Sequence, residues 1–113
     1  MPQYMLLIYN PVDGGPTREQ MGELHQRWMA YGKALKDAGQ LVSNQGLKGA
    51  EAATTVRVRD GDRQMTDGPF AETKELLAGV FQVDVPDLDA AIEWAARMPS
   101  SEYGSIEVRP IWG

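Results

Sequence analysis

Six consecutive apolar residues, Tyr4-Met5-Leu6-Leu7-Ile8-Tyr9, closed by Asn10-Pro11, constrain this chain more than any other stretch. A run without polar alternation leaves neither strand face suited to water, so it predicts a strand covered on both sides, and such a strand belongs inside a sheet. Every other element has to be placed around it.

After Gly14-Gly15-Pro16, Thr17 with Gln20 three residues on forms a capping box that starts a helix from about Arg18 to Ala38. Met21, Leu24, Trp28, Tyr31 and Leu35 recur at three- and four-residue spacing, so one face of that helix is predicted to be buried, and Gly39 ends it. Leu41 to Leu47 predicts a second strand. Thr54 to Arg59, the turn Asp60-Gly61-Asp62 and Arg63 to Thr66 predict a hairpin whose outer face is polar and basic, carrying Arg57, Arg59 and Arg63. Ala78 to Val85 reads as a strand and Pro86 stops it. Asp87 is placed to cap a second helix with Leu88, Ala91, Ile92 and Ala95 on its apolar stripe, and Ser105 to Arg109 makes a last strand at a sheet edge.

Leaving the hairpin aside, the order is strand, helix, strand, strand, helix, strand. That order predicts an α+β, ferredoxin-like βαββαβ fold with an inserted β-hairpin and both helices on one sheet face. The other face would be left bare. A bare apolar sheet face predicts a homodimer packed sheet on sheet, a dimeric α/β barrel. At 113 residues, without an internal repeat or linker, residues 1–113 are expected to form one domain.

Between the hairpin and the next strand lies Asp67-Gly68-Pro69-Phe70-Ala71-Glu72-Thr73-Lys74-Glu75. Asp67-Gly68 reads as a turn, Pro69 fixes one backbone angle and favours an extended Gly68, and Phe70 is expected to anchor the loop on the body of the protein.

Composition narrows the function classes. A net charge of −5 argues against nucleic acid and anionic membrane as partners, because either would need clustered Lys and Arg. The chain has no cysteine, so a disulfide framework, a thiolate nucleophile and a Cys-based metal site are excluded, and a cytoplasmic location is expected. Met5 to Tyr9 is too short for a signal peptide or a membrane span. No Gly-rich loop follows a strand and opens a helix, so no nucleotide cofactor is implied.

The chain resembles the YCII-related superfamily, in the subgroup named after its Asp-Gly-Pro-Phe (DGPF) signature, here Asp67-Gly68-Pro69-Phe70 followed by Ala71 to Glu75. The likeness also covers Tyr4 to Tyr9, His25, Gly39 with Leu41, Trp94-Ala95-Ala96 and Glu107 to Ile111. It implies a ferredoxin-like domain that dimerises into an α/β barrel. It further implies a site centred on a histidine of the first helix, matched by His25, and an aspartate, in relatives some of which act on ring compounds. Compact members carry Asp-Pro-Tyr after the second helix, where this chain has Met98-Pro99-Ser100, so either Asp67 supplies the aspartate or that chemistry is absent. Members of the subgroup are often associated with extracytoplasmic-function sigma factors, which makes a sigma factor the partner implied by analogy.

His25 is the only histidine, so any acid/base relay near neutral pH must pass through it. It lies roughly 90° from the centre of the apolar stripe, at the boundary of the buried face, and Gly32 two turns on leaves space beside it. A boundary histidine that bonds a backbone carbonyl accounts for the same placement. Asp67 could orient His25 as the carboxylate of a relay, or only bond its own turn. Glu72 and Glu75 read as part of a solvated loop or as a capping pair. A metal would need His25 plus oxygens from Asp67, Glu72 or Glu75 at no recognisable ligand spacing, so none is expected. Tyr9, Pro69 and Phe70, with Trp28, are candidates to line a pocket for a small ring compound, or are simply core. Three readings follow: an acid/base enzyme (isomerase, lyase or dehydrochlorinase type) with His25 catalytic and Asp67 orienting it; a ligand-binding or interaction module linked to transcriptional control; and a structural dimer.

Overall fold

In the computed structural model, which describes residues 1–113, the elements follow the order expected from periodicity. They are β1 (Gln3–Pro11), α1 (Met21–Asp37), β2 (Leu41–Gly46), β3 (Thr54–Arg59), β4 (Asp62–Asp67), β5 (Glu75–Asp84), α2 (Leu88–Ala96) and β6 (Ser105–Pro110). Four strands form one sheet in the order β2-β5-β1-β6 with every neighbouring pair antiparallel, so the apolar run lies inside it and β6 at an edge. This is a ferredoxin-like α+β arrangement, and β3 with β4 forms a separate two-stranded sheet.

Local chemistry accounts for the boundaries. Thr17 N–H donates to Gln20 Oε1 at 2.9 Å, closing a short 3-10 turn over Arg18–Gln20 that leads into α1. Gly39 takes a φ of +72° just past the end of α1, a conformation that side chains with a Cβ resist. Ala90 N–H donates to Asp87 Oδ1 at 2.9 Å and starts α2.

Alternation along β1 sorts its side chains by face. Tyr4, Leu6 and Ile8 are buried with Tyr31 and Leu35 of α1, Phe81 and Val83 of β5 and Ala91 and Ala95 of α2, so both helices cover the same side. Met5, Leu7 and Tyr9 point the other way and are half-buried, although the apolar run suggested cover on both sides. No second layer of this chain lies over them. Only 14 of 113 residues are buried, and the molecule measures 47 × 42 × 18 Å, a slab two layers thick.

Several side chains pack otherwise than expected. Leu88 and Ile92 are each 47% exposed, so only Ala91 and Ala95 of the α2 stripe reach the core. Met21 is 54% exposed because only the later turns of α1, at Tyr31 and Leu35, reach the core. Phe70 does not anchor the loop on the body of the chain and is 78% exposed; polar bonds hold the loop instead. Gly68 N–H donates to the Ala53 carbonyl at 2.7 Å, Thr55 Oγ1 to the Gly68 carbonyl at 2.8 Å and Arg57 to the Phe70 carbonyl at 3.2 Å. Because Thr55 and Arg57 supply those donors, the loop lies on the hairpin's polar side and leaves Val56, Val58 and Met65 bare on the other, where Arg63, expected on one basic face with Arg57 and Arg59, stands opposite Val58. Gly68 itself takes a φ of +100°, not an ordinary extended angle, so its glycine is required by the turn. No helix is long and apolar enough to cross a membrane.

Candidate functional site

The residues spaced three and four apart from His25 on α1 make one wall of a cleft. His25, Trp28, Met29 and Gly32 face the edge of the sheet at Asn44, Gln45 and Gly46 of β2 and Gly79 and Phe81 of β5, enclosing about 510 Å³. Its apolar floor is aromatic. The Trp28 and Phe81 rings stack with centroids 5.9 Å apart and planes 19° from parallel, and Tyr31 meets both edge-on. Burial pushes the Tyr31 hydroxyl well above its ordinary pKa, and it donates to the Trp94 carbonyl at 2.9 Å, which makes it a fixed neutral support under the floor.

Three glycines keep the cleft open. A Cβ at Gly32 would meet nothing within 4 Å, whereas one at Gly79 would come within 2.9 Å of the Gln45 carbonyl oxygen, and Gly46 lies beside it on β2. The polar groups converge at one end. Asn10 at the end of β1 borders this cleft and an adjoining hollow of about 460 Å³, and His25 and Trp28 border both as well. Its Oδ1 is buried without a hydrogen-bond partner. Ser100, almost wholly buried with its hydroxyl 3.2 Å from the Tyr103 hydroxyl, also borders the cleft.

No Asp or Glu lines this cleft; its ionisable groups are His25 and Lys33, and Lys33 Nζ is bonded to Asp37 Oδ2 at 2.6 Å.

The other residues singled out from the sequence lie elsewhere. Asp67 ends β4 opposite Thr54 and shares no hydrogen bond, ion pair or cavity with His25 of its own chain. Tyr9, Pro69 and Phe70 come together, but around a different, apolar cavity of about 650 Å³ at the root of the hairpin. Tyr9 and Leu77 place that cavity on the sheet face opposite the helices. The Tyr9 hydroxyl donates to Glu107 Oε1 at 3.3 Å, and partial desolvation, with Glu107 beside it, raises its pKa. Nowhere do three or more His, Asp or Glu side chains gather as a metal would need.

The YCII-related domain model matches residues 2–113. The chain belongs to the YCII-related family. An uncharacterised protein of Rhizobium meliloti (strain 1021) is 34% identical to it over 112 residues, covering 96% of this chain and 90% of the relative. In this YCII-related chain Met98, at the start of Met98-Pro99-Ser100 after α2, is a fully buried core residue. Sequence reasoning missed Asn10 and Ser100. Asn10 read as a marker of the strand's end, and only its buried, unpaired oxygen distinguishes it; Ser100 carried no pattern at all.

Proposed function

We propose that this YCII-related protein binds a small, planar, ring-containing molecule bearing a hydroxyl or carboxyl group in the cleft between α1 and β2. The observation that carries the reading is Asn10, whose Oδ1 is buried without a hydrogen-bond partner and which lines the same cleft as His25 and the stacked Trp28 and Phe81 rings. A buried acceptor without a partner costs about 1–3 kcal/mol, a cost that a ligand donor removes. The stacked rings supply an apolar face for a ring, and His25 supplies a group that donates or accepts at neutral pH. The absence of a carboxylate from the cleft favours binding as the leading role.

Proton transfer is the second reading. A general base within reach of a ligand proton works best when its ring is held in one tautomer, and the only aspartate assigned to that task, Asp67, would have to come from a second copy. A homodimer packed sheet on sheet is part of the proposal, supported by the half-buried Met5, Leu7 and Val80 on the uncovered face.

Titration calorimetry with a panel of phenols and aromatic carboxylates tests the site. We expect at least one member to bind, with affinity reduced at least tenfold in both Gly32→Leu and His25→Ala. Binding that is indifferent to Gly32→Leu places the ligand elsewhere and removes the reading. If a bound compound is also turned over, a rate that follows a single ionisation lost in His25→Ala supports proton transfer.

A further inference from the structure

The β3–β4 hairpin is the least supported part of the protomer. It belongs to a sheet of its own, and neither of its strands packs substantially on a helix or on the main sheet. Isolated two-stranded hairpins are marginal in water, and one that turns its apolar side outward has even less reason to hold its shape. Yet Val56 is 56% exposed, Val58 60% and Met65 66%, with Val56 directly opposite Met65 and Val58 opposite Arg63, so this side is apolar apart from one arginine toward the hairpin tip. The polar side is occupied by the Gly68–Phe70 segment through Thr55 and Arg57, so the apolar side cannot be turned inward by rotating the hairpin without breaking those bonds.

The surface of the whole chain says how much cover is missing. A protomer of 12.5 kDa exposes 8124 Å². A globular monomer of that mass exposes about 6,200 Å². The surplus, about 2,000 Å² per chain, is the amount a permanent homodimer buries and well beyond a transient contact. The Cα radius of gyration, 15.9 Å, tells the same story. About 13 Å is usual for this length. The hairpin's root encloses the 650 Å³ cavity together with Tyr9 and Leu77, which lie on the uncovered face, so the hairpin leaves the sheet on the side where a second sheet would sit.

We infer that the hairpin is a dimerisation arm, and that its Val56, Val58 and Met65 side is buried against a second copy of this chain. The inference rests on the homodimer of the preceding section and adds a contact that sheet-on-sheet packing alone does not require. In a two-fold assembly the arm of each copy covers the other, so the contact occurs twice.

Sedimentation equilibrium of the wild type, Val56→Lys/Met65→Lys and Ile92→Lys tests this. All three positions are about half exposed or more in the protomer, so lysine there leaves the core untouched. The expected result is a wild-type dimer, a double variant whose dimer Kd is raised at least 100-fold with an unchanged far-ultraviolet circular dichroism spectrum, and a control at Ile92 that behaves as wild type. A dimer unaffected by the double substitution overturns the arm and leaves the sheet-on-sheet dimer standing. A wild type that is monomeric at 100-micromolar concentration, a limit of roughly −5.5 kcal/mol on association, overturns both. Should the double variant fail to fold, Val58→Cys decides alone, because the chain has no other thiol. Its labelling by a maleimide is expected to slow at least tenfold as protein concentration rises through the dimer Kd, and a concentration-independent rate overturns the arm.

Discussion

Gly32 lies in the middle of α1 with an ordinary negative φ, and an added Cβ would touch nothing. Glycine there makes the helix less stable than alanine by about 1 kcal/mol, and no feature of the backbone requires it. Its position on the wall of the His25 cleft is the one thing it serves. We therefore expect Gly32→Ala to raise unfolding stability by about 0.5–1 kcal/mol in urea while weakening ligand affinity. Gly22, near the start of the same helix, is equally free of contacts but borders no described cavity, so Gly22→Ala should raise stability somewhat and leave affinity alone. Equal effects of the two substitutions on affinity would show that the cleft wall at Gly32 is not in contact with ligand. At this scale the sequence was readable where periodicity carries information. His25 is exposed and borders the cleft one turn before the half-buried Trp28, the side of α1 its helical spacing assigns it to. Asn10 was unreadable, since an unpaired oxygen is a property of three-dimensional surroundings and not of a residue beside a proline.

Elements are joined here by few polar ties, and the one between α1 and the segment after α2 is titratable. Arg27 grips Glu102 through both guanidinium nitrogens, with Nη1 to Oε1 at 3.1 Å and Nη2 to Oε2. The Arg27 hydrogen bond and charge hold the Glu102 carboxyl below its ordinary pKa. A carboxyl lowered in the folded state binds its proton more readily when unfolded, so its contribution is complete above the unfolded pKa and disappears as pH falls through the folded value. Both groups are exposed, which keeps the effect small and makes it sensitive to salt. Thermal unfolding followed from pH 6 to pH 3 should lose less stability in Glu102→Gln than in wild type, with the difference shrinking at high salt. An identical acid limb in the two proteins would show that the pair does not hold α1 to that segment. Element order, strand centrality and the Asp87 cap were legible because each is dictated by residues within a few positions. The orientation of the hairpin was not. Alternation of Thr55, Arg57 and Arg59 with Val56 and Val58 defines two faces, but which face the following loop occupies depends on Thr55 and Arg57 donating to carbonyls thirteen residues on. The same dependence left Phe70 exposed against expectation.

For the whole molecule, thickness is the governing quantity. A slab 18 Å through has one layer of helices and one sheet, and its single core contains eleven buried hydrophobic residues for 113 in the chain. Such a core leaves little margin against the conformational entropy of ordering the chain. If the uncovered sheet face and the arm are closed by a second copy, folding and association become one equilibrium between two unfolded chains and one dimer. Its free energy per dimer then rises by about 1.4 kcal/mol for each tenfold increase in protein concentration, and the melting temperature must climb with it. We expect a wild-type Tm that increases steadily between 1 and 100 micromolar, a span of about 2.7 kcal/mol per dimer, measured by circular dichroism at the low end and calorimetry at the high end. Val56→Lys/Met65→Lys should melt lower than wild type at every concentration, because weaker association stabilises its folded state less. A wild-type Tm independent of concentration, in a protein that sedimentation shows to be monomeric, would mean that the thin core suffices by itself. The His25 cleft, which is built entirely from α1, β1, β2, β5 and the turn after α2 of one chain, would still stand in that case.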